Sequence, residues 1–110
     1  MGVSKTEIFT KQQNEIAVFM KAFSHPARIS ILQNLFEKDT CVCGDLVKEI
    51  GLAQATISQH LKELKLLGLI KGKVEGTSVC YCIDEAVWKH MKTLLNTFLD
   101  HDIKNQDTCC

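Results

Sequence analysis

With 110 residues the chain amounts to one domain, and few residues are left over once a core is built. Its 45% hydrophobic and 24% charged content is ordinary for a globular protein in water. Thirteen basic residues balance thirteen acidic ones, which excludes attachment to nucleic acid through bulk charge; any such role has to rest on local clusters.

From Thr6 to Phe23, Ile8, Ile16, Phe19, Met20 and Phe23 recur at helical spacing opposite a polar face, which predicts a first helix. Ser24-His25-Pro26 punctuates the chain: Ser24 suits an N-cap, and Pro26 suits a first helical turn, where its missing N–H costs nothing. The second helix runs to about Glu37 and is expected to bury Ile29, Ile31, Leu32, Leu35 and Phe36. Cys41-Val42-Cys43 is too short for a helix and reads as a brief strand. Asp45 can cap a short helix ending near Ile50, which Gly51 breaks.

The next helix, about Gln54 to Leu67, carries Ile57, Leu61, Leu64 and Leu67 in one stripe, and Gly68 ends it. Leu69 to Val74 and Ser78 to Ile83 read as a hairpin around Glu75-Gly76-Thr77. Glu85 to about Ile103 is a last helix with Val87, Met91, Leu94, Leu95, Phe98 and Leu99 on one side. Residues 1–103 thus form one domain, and 104–110 are a polar tail ending in two cysteines. The order is α-α-(β)-α-α-β-β-α, mainly α with a small β-hairpin wing: a winged helix-turn-helix.

That order makes DNA the expected partner. With Ile57, Leu61 and Leu64 turned inward, Gln54, Thr56, Ser58, Gln59, His60 and Lys62 occupy or flank the outer face of the recognition helix. Glutamine pairs bidentately with adenine, while Ser and Thr suit phosphates or either base. Between Gln54 and Lys73, Lys62, Lys65, Lys71 and Lys73 stand against the single acid Glu63. Lys71 and Lys73 fall on the wing, where backbone contacts add affinity without reading sequence. A solvated helix with an idle polar face is the plain alternative.

The chain resembles the ArsR/SmtB family of bacterial metal- and stress-responsive repressors. The resemblance is carried by His25-Pro26-Ala27-Arg28, Ile31-Leu32, Asp45-Leu46, Gln54, Ile57-Ser58-Gln59-His60-Leu61, Leu64, Gly68-Leu69-Ile70, Glu75-Gly76 and Tyr81. It implies a homodimer through the first and last helices, bound to a two-fold symmetric double-stranded operator and released by an inducer. Phe19, Phe23, Trp88, Met91, Leu95 and Phe98 are then the expected interface. Ala53 stands where the family often has Ser, so a helix cap worth about 1 kcal/mol is missing.

Six cysteines without an export signal suggest a reducing cytoplasm, with no membrane partner and thiols open to soft ions or oxidants. The loose myristoylation pattern at Met1–Thr6 reads as coincidence. Cys41-Val42-Cys43 resembles the Cys-Val-Cys of arsenic-sensing family members, displaced by Gly44. Thiolates suit arsenite, and Cys109 and Cys110 are candidates for a third sulfur.

A second arrangement follows from strand alternation. If the first strand pairs with the last wing strand and Val42 points to the core, Cys41, Cys43, Cys80 and Cys82 share one face, close enough for a metal or a disulfide. The family alignment instead turns Cys41 and Cys43 inward, and burial as small hydrophobes is the plain reading of all four. Helix-borne zinc ligands of the family fall near Glu85, Val87, Phe98 and His101, of which only two can coordinate; His90 and His101 are the histidines at hand.

The expected function is therefore a non-enzymatic repressor released by thiolate coordination of arsenite or a soft metal ion. A thiol redox or persulfide sensor is the alternative, and a structural zinc-bound interaction module is the alternative of another class.

Overall fold

The computed structural model describes residues 8–38, 41–43 and 46–104. In chain order it contains α1 (Lys11–Met20), a 3-10 turn (Lys21–Phe23), α2 (Pro26–Phe36), β1 (Val42–Cys43), α3 (Leu46–Ile50), α4 (Gln54–Leu66), β2 (Ile70–Glu75), β3 (Ser78–Ile83) and α5 (Glu85–Leu99). The three strands form one antiparallel sheet in the order β1-β3-β2. This is the winged helix-turn-helix expected from the sequence.

Three boundaries differ from expectation. α1 starts at Lys11, with Ile8, Phe9 and Thr10 before it not helical, because Thr10 and Gln13 form a reciprocal capping box, each side chain bonding the other's backbone N–H at 3.0 Å; Thr6 and Glu7 of the expected helix lie outside the described residues. The cap of α2 is His25, not Ser24: its Nδ1 accepts the Ala27 N–H at 3.0 Å, while the Ser24 hydroxyl donates back to the Lys21 carbonyl. α5 ends at Leu99 instead of Ile103. The proposed Asp45 cap and residues 105–110 of the tail lie outside the described residues.

The core forms where the inner stripes of the helices meet one face of the sheet. Ile57, Leu61 and Leu64, at i, i+4 and i+7 of α4, pack with Ile31, Leu32 and Leu35 of α2, Leu69, Ile70 and Met91. Each such side chain contributes about 1.5–3 kcal/mol through removal from water. Ile29 and Phe36, expected inside, are 41% and 48% exposed. They lie off the stripe that α2 turns towards α4.

α4 hands the chain to the wing through a Schellman ending. Gly68, at φ +85°, donates to the Lys65 carbonyl and Leu69 to the Leu64 carbonyl, at 3.0 and 3.2 Å. The hairpin then closes with Gly76, at φ +62°, in a two-residue loop between paired Glu75 and Ser78. Asp84 caps α5 by accepting the Val87 N–H at 3.2 Å.

Of the six residues expected at a dimer interface, Phe19, Met91 and Leu95 are buried within the single chain, where α1 and α5 pack on each other. Phe23 and Trp88 are partly buried against the core, and Phe98 is exposed. Among the described residues no helix is long and apolar enough to cross a membrane.

Candidate nucleic-acid interface and strand thiols

α4 sits at the molecular surface with its inner stripe anchored, and this fixes which side chains it shows. Gln54, Thr56, Ser58, Gln59 and Lys62 are all exposed. The Gln54 amide donates to the Ser58 hydroxyl at 3.0 Å, and that of Gln59 to the Glu63 carboxylate at 3.3 Å. Both contacts are solvent-exposed, so base edges can replace them at little cost. The helix starts at Ala53 with no side-chain cap, leaving its first N–H groups to water or to an anion.

His60 differs from its neighbours. It is half-buried, its ring lies 4.6 Å from that of His25, and its Nδ1 accepts from Arg28 Nε at 3.2 Å. Arg28 also donates to the Lys21 carbonyl at 2.7 Å, which ties the turn before α2 to the recognition helix. Burial, then the His25 and Arg28 charges, hold His60 below the ordinary imidazole range. Sequence reasoning counted His60 among the DNA-facing residues and missed the Arg28 bond; His25-Pro26-Ala27-Arg28 had signalled family membership, not this contact.

On the wing, Lys71 and Lys73 are exposed, and Lys73 lies 3.4 Å from Glu75. An ion pair this exposed contributes little, so the lysine can turn to a phosphate. Gly72 pairs with Tyr81 between them, and alternation puts both lysines on the sheet face away from the core.

That same face carries Cys80 and Cys82. Lys71 pairs with Cys82 and Lys73 with Cys80, while β1 pairs with β3 so that Cys43 opposes Cys80 and Val42 opposes Tyr81. The next step of this register sets Cys41 against Cys82. The two thiols are hydrogen-bonded, and this contact, more than burial, pushes the Cys82 thiol above its ordinary range, against the opposing pull of Lys71 and Lys73. Cys41 and Cys82 are thiols, whereas Cys80 is fully buried and disulfide-bonded. Cys109 and Cys110 lie outside the described residues.

Among the described residues no three His, Cys, Asp or Glu side chains gather as a metal-binding group. His90 contacts Glu15 at 3.0 Å and His101 contacts the Phe98 carbonyl at 2.7 Å, so the structure does not bring the two histidines together.

Residues 25–71, which contain α2, α3, α4 and the first residues of β2, match the model of the bacterial regulatory protein arsR family. A cadmium resistance transcriptional regulatory protein CadC homolog from Staphylococcus aureus is 33% identical over 99 residues, covering 89% of this chain and 78% of that one. The chain belongs to the ArsR family. Family members are DNA-binding transcriptional regulators, not enzymes. An HTH-type transcriptional regulator of Methanocaldococcus jannaschii is 37% identical over 84 residues, covering 74% of this chain and 93% of the relative. Among solved structures, HlyU from Vibrio cholerae N16961 superposes with a TM-score of 0.66 at 29% identity, covering 84% of this chain and 100% of HlyU. The transcriptional repressor BigR from Xylella fastidiosa gives 0.62 at 29%, covering 93% of this chain and 100% of BigR.

Proposed function

We propose that this chain is a homodimeric repressor that holds a double-stranded operator and lets go when its strand thiols react. The observation that carries the reading is the juxtaposition of an exposed, amide-rich recognition face on α4 with a wing whose two lysines lie beside a cysteine pair. Gln54, Thr56, Ser58, Gln59 and Lys62 read bases and phosphates in the major groove. Lys71 and Lys73 hold the adjoining backbone. His60 sets the position of this helix against α2 more than it reads bases. Likeness to the biofilm growth-associated repressor and the transcriptional repressor BigR of Xylella fastidiosa supports the sign of the control.

The wing is the natural point of release, because Cys41 precedes the helix-turn-helix and Cys82 lies on the wing strand. Chemistry that joins them changes how the two DNA-contacting parts sit together. Coordination of arsenite or a soft metal ion is one form of that chemistry. The Cys41 and Cys82 sulfurs suit two bonds to arsenic, and whichever of Cys43, Cys109 and Cys110 is not bonded to Cys80 is a candidate third ligand. The cadmium resistance relative is in keeping with a soft-ion inducer. Thiol oxidation is the second reading, and the disulfide already held by Cys80 favours it. Family membership counts against a zinc-stabilised module that never meets DNA.

The test is operator binding by reduced protein, measured by gel shift and repeated with arsenite, Cd(II), Zn(II) and polysulfide. Release by arsenite or Cd(II) assigns ion coordination, and release by polysulfide alone assigns oxidation. Absence of salt-dependent binding to any family-type operator overturns the DNA reading.

A further inference from the structure

Beside Cys41 and Cys82 the surface opens into a groove of about 790 Å³, bounded by the end of α2, the edge of the sheet and the start of α5. Small-molecule sites run roughly 300–1,000 Å³. Phe36 and Trp88, whose rings meet edge to face at 4.8 Å, form its apolar wall. Lys38, Lys71 and Lys89 bring three positive charges to the lining, against Asp84 and Glu85. The Asp84 carboxylate is turned to the α5 cap, and Lys38 also reaches Glu49 at 3.5 Å. The groove therefore combines a dithiol, an apolar shelf and a cationic rim.

The ladder adds a geometric argument. Antiparallel pairs alternate between two kinds, so steps two residues apart are of the same kind. Cys41 opposite Cys82 is therefore equivalent to the step at Cys80, a residue that is disulfide-bonded. Direct cross-strand neighbours have Cβ atoms about 4.5–5.5 Å apart, a small adjustment from disulfide reach.

We infer that this groove admits a small disulfide bearing carboxylates, and that exchange with it closes Cys41 to Cys82 as a second bridge beside the one that holds Cys80. This deepens the reading of the strand thiols as the release point and rests on it. In the first step the Cys41 thiolate, its proton given to water, attacks one sulfur of the ligand. The ligand S–S bond breaks, a mixed disulfide forms and one small thiolate leaves. Cys82, hydrogen-bonded to Cys41, then gives up its proton and attacks the Cys41 sulfur, expelling the second small thiolate. Two electrons pass from the protein thiols to the ligand, two protons end on the released thiols, and no other oxidant is needed.

The probe is oxidised glutathione, added to the full-length chain carrying Cys109→Ser and Cys110→Ser so that the tail thiols do not report. Intact-mass spectrometry is expected to show loss of two hydrogens, with peptide mapping to a Cys41–Cys82 link. Cys82→Ser should stop at one glutathionyl group on Cys41, and Cys82→Ala serves where Ser disturbs the sheet. Lys38→Glu with Lys89→Glu should slow closure by oxidised glutathione about tenfold, yet leave closure by neutral hydroxyethyl disulfide unchanged. Persistent glutathionyl adducts without internal closure overturn the bridge. Equal slowing with both disulfides overturns the groove as an anion site. Operator affinity of the same samples is read separately. Closure with unchanged affinity upholds the exchange site and overturns the release reading; loss of affinity under arsenite with no closure does the reverse.

Discussion

Arg28 of α2 donates through Nε to Nδ1 of His60 on α4 over 3.2 Å, so one side chain positions the recognition helix against the helix before the turn. A ring nitrogen that accepts holds no proton, and neutral His60 therefore carries its hydrogen on Nε2. Protonation at Nδ1 destroys this bond and sets an imidazolium against a guanidinium, with the His25 ring tilted alongside and Glu63 opposing.

The pH dependence follows from the sign. His60 is lowered in the folded chain, by burial first and then by His25 and Arg28, so the unfolded chain binds its proton more readily. Its contribution to stability is complete above the ordinary value of 6.5 and is lost as pH falls through the lower folded value. Urea unfolding of the reduced protein between pH 8 and 5 should show this decline, and His60→Gln should flatten it. A profile unaltered by that substitution removes His60 as the titrating group.

Much of this frame was legible in the sequence because it depends on period and punctuation. Ile57, Leu61 and Leu64 announce the buried stripe of α4, and Gly68 and Gly76 mark turns that need positive φ. What stayed hidden depends on three-dimensional neighbours. Ser24 and His25 both stand just before Pro26, and only the direction of the chain entering α2 decides which side chain meets the Ala27 N–H. Ile29 and Phe36 look like core by composition, yet their outward angle on α2 depends on where α4 docks. The facing of Cys41 turns on a one-residue choice of register, since a single step reverses every side chain in a strand. The wing alternation placed Cys80 and Cys82 together; pairing with β1 brought Cys41 to them.

Base reading and backbone holding should separate by mutation. Gln54→Ala and Gln59→Ala are each expected to reduce discrimination between operator and mismatched duplex by about 1–3 kcal/mol. Lys71→Ala and Lys73→Ala should weaken all duplexes alike and lower the slope of log affinity against log salt by about 0.9 each per protomer. Fluorescence anisotropy titrations across salt concentrations measure both. A lysine variant that changes sequence preference with an unchanged slope contradicts the assignment of the wing to phosphates.

The bare start of α4 offers a stabilising change. Ala53 already has the extended φ of −61° and ψ of 150° that a cap requires, but no side chain to accept an N–H. Ala53→Ser should raise stability by about 1 kcal/mol. Thr10→Ala, which breaks the capping box of α1, should lower it by a similar amount. Chemical unfolding of the two variants under reducing conditions provides the comparison. No gain from the serine means that the helix start is held by other contacts.

Dimerisation is the remaining expectation, and the exposed apolar residues say where to test it. Phe98 and Leu99 are 51% and 65% exposed at the end of α5, and Phe9 and Val18 are 53% and 43% exposed on and before α1. A Phe98→Glu, Leu99→Glu pair leaves the protomer core untouched because neither side chain is buried in it. Met91→Glu, at a position only 2% exposed, should instead unfold the chain. Sedimentation of the double variant is expected to show a folded monomer. Its operator affinity should fall about a hundredfold or more, since two linked half-sites bind far more tightly than one. A double variant that sediments as a dimer with full operator affinity moves the interface away from the end of α5.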